Sequence, residues 1–147
     1  MIPSKWIVYV LRTLGHLSFE VTEIVKAREF FDCLLLDLGF KRKYTTDEAV
    51  CYSSPRINIW FAKEQTPRTI RGNPSTDVDV VAEHTAIMVP DREKVKDIER
   101  KMIAKGYAPL FPAQGAPQFT EGYFSVSFVG PDNMVFEVYT NPEELTE

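Results

Sequence analysis

The sequence predicts an α+β fold of two βαβββ units packed side by side, with their first strands entering one shared sheet or cleft. Three observations predict it. Two alternating apolar runs, each headed by a histidine, stand at His16 and His84. Each is followed by one amphipathic helical stretch that ends at a glycine trailed by an aromatic, Gly39–Phe40 and Gly106–Tyr107. Three short strand candidates then follow in each half, and each final hairpin turn carries a proline, Pro55 or Pro131. His16 to Gly39 is 23 residues and His84 to Gly106 is 22, so the order of elements repeats internally at low sequence identity.

In the first half, His16, Ser18 and Glu20 fall on one face of Leu14–Val21, and Leu17, Phe19 and Val21 on the other, the period of a half-buried strand. In "TEIVKAREFFDCLLLDLGF", Ile24, Ala27, Phe31, Leu34, Leu35 and Leu38 recur at helical spacing, with Thr22 as the expected N-cap and Gly39 just past the end. Strands are expected at Phe40–Thr45, Ala49–Ser53 and Arg56–Ala62, the last two separated by the turn "SSPR". Glu64–Ala82 is rich in Pro, Gly, Thr, Ser and Asp and reads as a connector or mobile loop. The pattern then restarts with a strand from His84 to Val89. A helix over "DREKVKDIERKMIAKGY" follows, with Val95, Ile98, Met102 and Ile103 inward. A strand at Tyr107–Phe111, a loop at Ala113–Glu121, and strands Tyr123–Val129 and Met134–Thr140 joined by the turn "GPDN" complete it. The expected organisation is an N-terminal extension 1–13, a first module 14–63, a connecting loop 64–82, a second module 83–141 and a tail 142–147.

A chain of 147 residues is long enough for one proper core or for two small halves sharing one. Its 44% hydrophobic and 26% charged residues are those of an ordinary soluble globular protein. A formal charge of −4 leaves no electrostatic footprint for nucleic acid or an anionic membrane surface, and the apolar runs are too short to span a bilayer. The start lacks a long apolar h-region and a small-residue cleavage site, and Cys33 and Cys51 show neither disulfide nor metal spacing. The expectation is a cytoplasmic protein with reduced thiols.

His16 and His84 are the only histidines, and the repeat puts them in equivalent places, so side-by-side packing would let the two imidazoles approach near a pseudo-twofold axis. In "MVFEVYT" both strand faces are apolar, which leaves Glu137 no obvious solvent face. A buried, unpaired carboxylate costs several kcal/mol or stays protonated, and a cation beside it removes that cost. Neutral imidazoles and one carboxylate suit a divalent first-row metal with positions open for substrate. The competing readings at this level are structural strand histidines, and a Glu137 ion-paired to Arg56, Lys41 or Arg12.

"LGHLSFEVTEIVKAREFFDCLLLDLGF" resembles the opening strand and helix of the vicinal oxygen chelate superfamily, which holds glyoxalase I, bleomycin-resistance proteins, fosfomycin-modifying thiol transferases and extradiol dioxygenases. "EGYFSVSFVGPDNMVFEVYT" resembles its closing hairpin, although the family's aspartate–proline–aspartate–glycine turn reads Gly130-Pro131-Asp132-Asn133 here. The resemblance runs from about Leu14 to Thr140 and implies a glyoxalase-like fold, a curved, incomplete barrel-like sheet around a cleft. Carried over, it makes His16, His84 and Glu137 the ligands of a divalent metal, with Fe, Mn, Zn, Ni and Co not distinguished. The implied chemistry is bidentate chelation of a small oxygenated molecule, as in a lyase, isomerase, thiol transferase or dioxygenase. The strand "RINIWFA" offers no Glu, Gln or His as a fourth ligand, which departs from glyoxalase I. Extradiol chemistry needs further acid/base histidines, which this chain lacks unless Tyr123 substitutes. Glu20 is the candidate general base and Tyr123 a candidate hydrogen-bond donor to substrate. Ser18, Asn58, Trp60, Met88 and Tyr139 are the candidate substrate pocket, with Phe119 as further apolar wall. Glu64–Ala82 and Phe111–Glu121 are the candidate lids, and Arg68 and Arg71 lie in the first. The resemblance also implies a homodimer, with the site either inside one chain or shared by two. The alternative function is a metal-free protein of the bleomycin-resistance type that sequesters a ligand.

Overall fold

The computed structural model describes residues 14–64 and 84–145. The N-terminal extension with Arg12, residues 65–83 with Arg68 and Arg71, and residues 146–147 lie outside the described residues. The first module runs β1 (His16–Val21), α1 (Ile24–Phe31), a π-turn (Asp32–Leu36), β2 (Lys41–Thr45), β3 (Ala49–Ser53) and β4 (Asn58–Lys63). The second runs β5 (Thr85–Met88), α2 (Arg92–Ala104), β6 (Pro109–Gly115), β7 (Phe124–Val129) and β8 (Val135–Thr140), followed by a short helix α3 (Pro142–Leu145). Each module forms one four-stranded mixed sheet, β1-β4-β3-β2 and β5-β8-β7-β6, and neither closes into a barrel. In each, the first strand runs parallel to the last and every other pairing is antiparallel.

Several local expectations differ from the structure. Thr22 does not cap α1; Glu23 holds the N-cap position. The Thr22 backbone N–H and hydroxyl instead donate to the two carboxylate oxygens of Asp132, at 2.9 and 2.8 Å, tying the first module to the turn of the second. The first helix does not stay α-helical to its end but widens into the π-turn. The 3.6-residue apolar pattern does not reveal this, because Leu34 and Leu35 stay buried on either geometry. The second helix has its side-chain cap, Asp91 accepting from the Lys94 N–H at 2.8 Å. Strand β6 reaches Gly115, into the segment expected as a loop. Pro109, inside the expected strand, and Pro112, inside the expected lid, are both tolerated at an outer edge, where the missing N–H interrupts little. Gly39 and Gly106 both sit at φ +93°, the left-handed conformation expected of residues that end helices.

The buried faces of α1, α2 and both sheets meet in one shared core. Phe31 stacks on Phe61 at 3.7 Å between ring centroids and meets Phe136 of β8 edge-on at 5.0 Å; Phe19 reaches Phe136 at 6.0 Å. Phe30 packs on Tyr107 at 5.0 Å. The turn after β7 closes this junction from outside, with Gly130 set so close to the Phe30 ring that an added Cβ would lie 2.9 Å from it. A Gly130→Ala variant should therefore be destabilised by about 1–3 kcal/mol, since Phe30 is buried and has nowhere to yield. Urea titration should show a lower midpoint at unchanged slope.

Candidate metal centre

The faces of the two sheets opposite their helices carry the expected ligand residues and the strand residues expected around them, and the strand register decides who meets whom. On the second sheet, Glu137 stands beside Ala86 on β5 and Ser127 on β7, and Tyr139 beside Met88 and Ser125. Partners across a ladder share a face, as do residues two apart along a strand. His84, two before Ala86, and Tyr123, two before Ser125, therefore join Glu137 and Tyr139 on that face. The geometry agrees. His84 Nε2 lies 3.1 Å from Glu137 Oε2, and the Tyr123 hydroxyl donates to Glu137 Oε1. Glu137 is only 9% exposed, so these contacts supply what water cannot.

A second layer surrounds the pair. The Tyr123 ring stacks on Tyr139 at 5.2 Å with planes 18° apart, and Phe119 meets its edge at 5.7 Å. The Tyr139 hydroxyl donates to Glu144 of α3 at 2.7 Å, and Asn141 Nδ2 donates to the other Glu144 oxygen at 3.1 Å. Thr120 completes the chain by donating to Asn141 Oδ1 at 3.2 Å. Sequence reasoning left Glu144 in a tail; a glutamate five residues past the strand residue it meets carries no periodic signal. The expected lid at Phe111–Glu121 is half strand, and the remainder folds into a tight turn held by the Ala116 N–H to the Tyr123 carbonyl and the Phe119 N–H to the Ala116 carbonyl.

On the first sheet, His16 pairs with Asn58, Ser18 with Trp60 and Glu20 with Ala62, and Trp60 lies 5.5 Å from Tyr44. His16, Ser18 and Glu20 are exposed and Asn58 and Trp60 half-buried. The two helix-side faces share one core, so the two opposite faces are turned away from it. Among the described residues no three His, Cys, Asp or Glu side chains converge on one point, and His16 does not join His84 and Glu137 within the chain. The pair itself suits a metal. Two ligands at bonds of roughly 2.0–2.2 Å in adjacent coordination positions stand about 3 Å apart, the separation seen between His84 and Glu137.

No family model and no curated protein sequence matches the chain. Solved structures do. A glyoxalase-related enzyme from Fulvimarina pelagi superposes with a TM-score of 0.67 at 16% identity, covering 89% of each chain. A glyoxalase/bleomycin resistance protein from Albidiferax ferrireducens T118 gives 0.65 at 18% identity, over 88% of this chain and 98% of that one. The chain has the glyoxalase-like fold. A third structure of this fold, a mutant of the fosfomycin resistance protein FosX from Listeria monocytogenes complexed with Mn(II) and 1S,2S-dihydroxypropylphosphonic acid, gives 0.63 at 17% identity over 90% and 94% of the two chains. The expected curved, incomplete barrel corresponds here to two separate four-stranded sheets.

Burial, and then the hydrogen bond to Glu137, raise the Tyr123 phenol above its ordinary 10.0; burial and the bond to Glu144 do the same for Tyr139. Buried Tyr52, bonded to Asp32 at 2.7 Å, follows them. Each phenol binds its proton more tightly folded than unfolded, so its contribution to stability is complete below pH 10 and shrinks as pH rises further. Absorbance near 295 nm should show these three tyrosines ionising late, together with loss of the fold rather than before it.

Proposed function

We propose that the protein is a divalent-metal-dependent enzyme acting on a small oxygenated molecule, with a site shared by two copies of the chain. The observation that carries this reading is the His84–Glu137 pair, a near-buried carboxylate and an imidazole at ligand spacing on an otherwise partly exposed sheet face. His16 of the partner subunit completes the set. That assignment is supported by His16 lying exposed at the start of an outer strand and by the incomplete set within one chain. It is supported also by a fold shared with a protein solved with Mn(II).

The metal would supply Lewis acidity to a substrate oxygen and leave adjacent positions for two of them. The chain's own residues do the rest. Glu137 and His84 bind the ion, and Tyr123 fixes the carboxylate. Ser18, Asn58 and Trp60 line the face that carries His16, with Tyr44 extending its apolar wall beside Trp60. Met88 and Tyr139 line the opposite wall. Glu20, two residues beyond Ser18 on the same face as His16, is the candidate base for a substrate proton. A second reading, a metal-free ligand-binding protein, draws on the Trp60–Tyr44 pair, which can hold an aromatic ligand without any ion.

Untagged protein dialysed against Mn(II) should retain about one ion per chain, and His16→Ala, His84→Ala and Glu137→Ala should each abolish retention. Mixing the His16→Ala and His84→Ala proteins through a denaturation–refolding cycle should restore roughly one site in four, because each mixed dimer regains one complete set. Failure of the wild type to retain any divalent ion rejects the enzyme reading in favour of the binding protein. Retention with no restoration on mixing rejects the shared site alone.

A further inference from the structure

We propose that Tyr123 is a positioning residue that restricts Glu137 to ligation through one oxygen; this rests on the metal reading above. The two oxygens of Glu137 have different neighbours. Oε2 faces His84 Nε2 at 3.1 Å, whereas Oε1 accepts the Tyr123 hydroxyl. An ion shared with His84 therefore meets Oε2. For Oε1 to ligate as well, the carboxylate would have to rotate and give up the phenol, leaving a half-buried hydroxyl without its partner.

The phenol is not free to follow. Its ring is clamped between the parallel face of Tyr139 and the edge of Phe119. Tyr139 is in turn tied through its own hydroxyl to Glu144, and Glu144 to Asn141. Asn141 is itself 4% exposed and bonded to Thr120, so the chain of contacts ends in buried structure rather than at a mobile side chain. The short C-terminal helix thus reaches back, through two stacked phenols, to the carboxylate.

The consequence concerns open positions. A carboxylate that ligates through both oxygens takes two coordination sites; one held to a single oxygen leaves the second for solvent or substrate. A substrate that chelates through two neighbouring oxygens needs that extra site. Tyr123 keeps it available without touching the ion.

The test uses Mn(II) alone as probe on the full-length protein. Water coordinated to bound Mn(II) is counted from line broadening in ¹⁷O-enriched water by electron paramagnetic resonance, and from water-proton relaxation. Tyr123→Phe keeps the ring and its stacking and removes only the hydroxyl. The expected result is unchanged stoichiometry with about one coordinated water fewer than in wild type, as Oε1 swings onto the ion. An unchanged water count in Tyr123→Phe overturns the proposal while leaving the metal site intact. Absence of Mn(II) binding in wild type overturns the metal reading and this proposal with it, which distinguishes the two failures.

Discussion

The arrangement of the molecule depends on one packing decision, the insertion of Phe31 between Phe61 of the first sheet and Phe136 of the second. All three rings are almost wholly buried, and Phe61 and Phe136 lie on the helix-covered faces of their sheets. Two amphipathic halves that bury their helix faces in one core have no choice about where the other faces go. Those faces turn outward, and the candidate ligands His16, His84 and Glu137 are found on them. The aromatic core is therefore also what keeps His16 apart from Glu137 within a chain.

The buried charge follows from the same geometry. Glu137 occupies the middle of a strand whose neighbours Phe136 and Val138 are core residues, and its own face is narrowed by Tyr123 and His84. A carboxylate there is held by two hydrogen-bonding partners of different kinds. One is a phenol that is difficult to ionise, so it remains a donor across the physiological range. The other is an imidazole, which can exchange its contact with the carboxylate for a cation. Between them, the phenol and the imidazole give both carboxylate oxygens a partner.

How much of this was legible depended on whether the determining contact was local. Strand alternation around His16 and His84, the helical spacing of Val95, Ile98 and Met102, and the paired glycines at φ +93° are short-range regularities, and they read directly, although Ile103, expected inward with them, is exposed. The face shared by Val135, Glu137 and Tyr139 also followed from alternation alone. The true partner of Thr22 did not, because Asp132 is 110 residues away. Nor did the strand character of Ala113–Gly115, since a proline-containing outer strand has the composition of a loop. The separation of His16 from the other two candidate ligands was invisible for a deeper reason. Sequence periodicity says which side of a sheet a residue takes, but not which sides of two sheets face each other.

The π-turn at Asp32–Leu36 has a bearing on the history of the chain. The first half holds one residue more than the second between its leading histidine and its terminating glycine. A regular helix lengthened by one residue would rotate everything after the added residue by about 100°. A wider turn accommodates the surplus in its girth, and the segments on either side keep their phase. Tandem halves descended from one ancestor can in this way drift apart in length while their opening strands, and the imidazoles at the head of each, stay in corresponding positions.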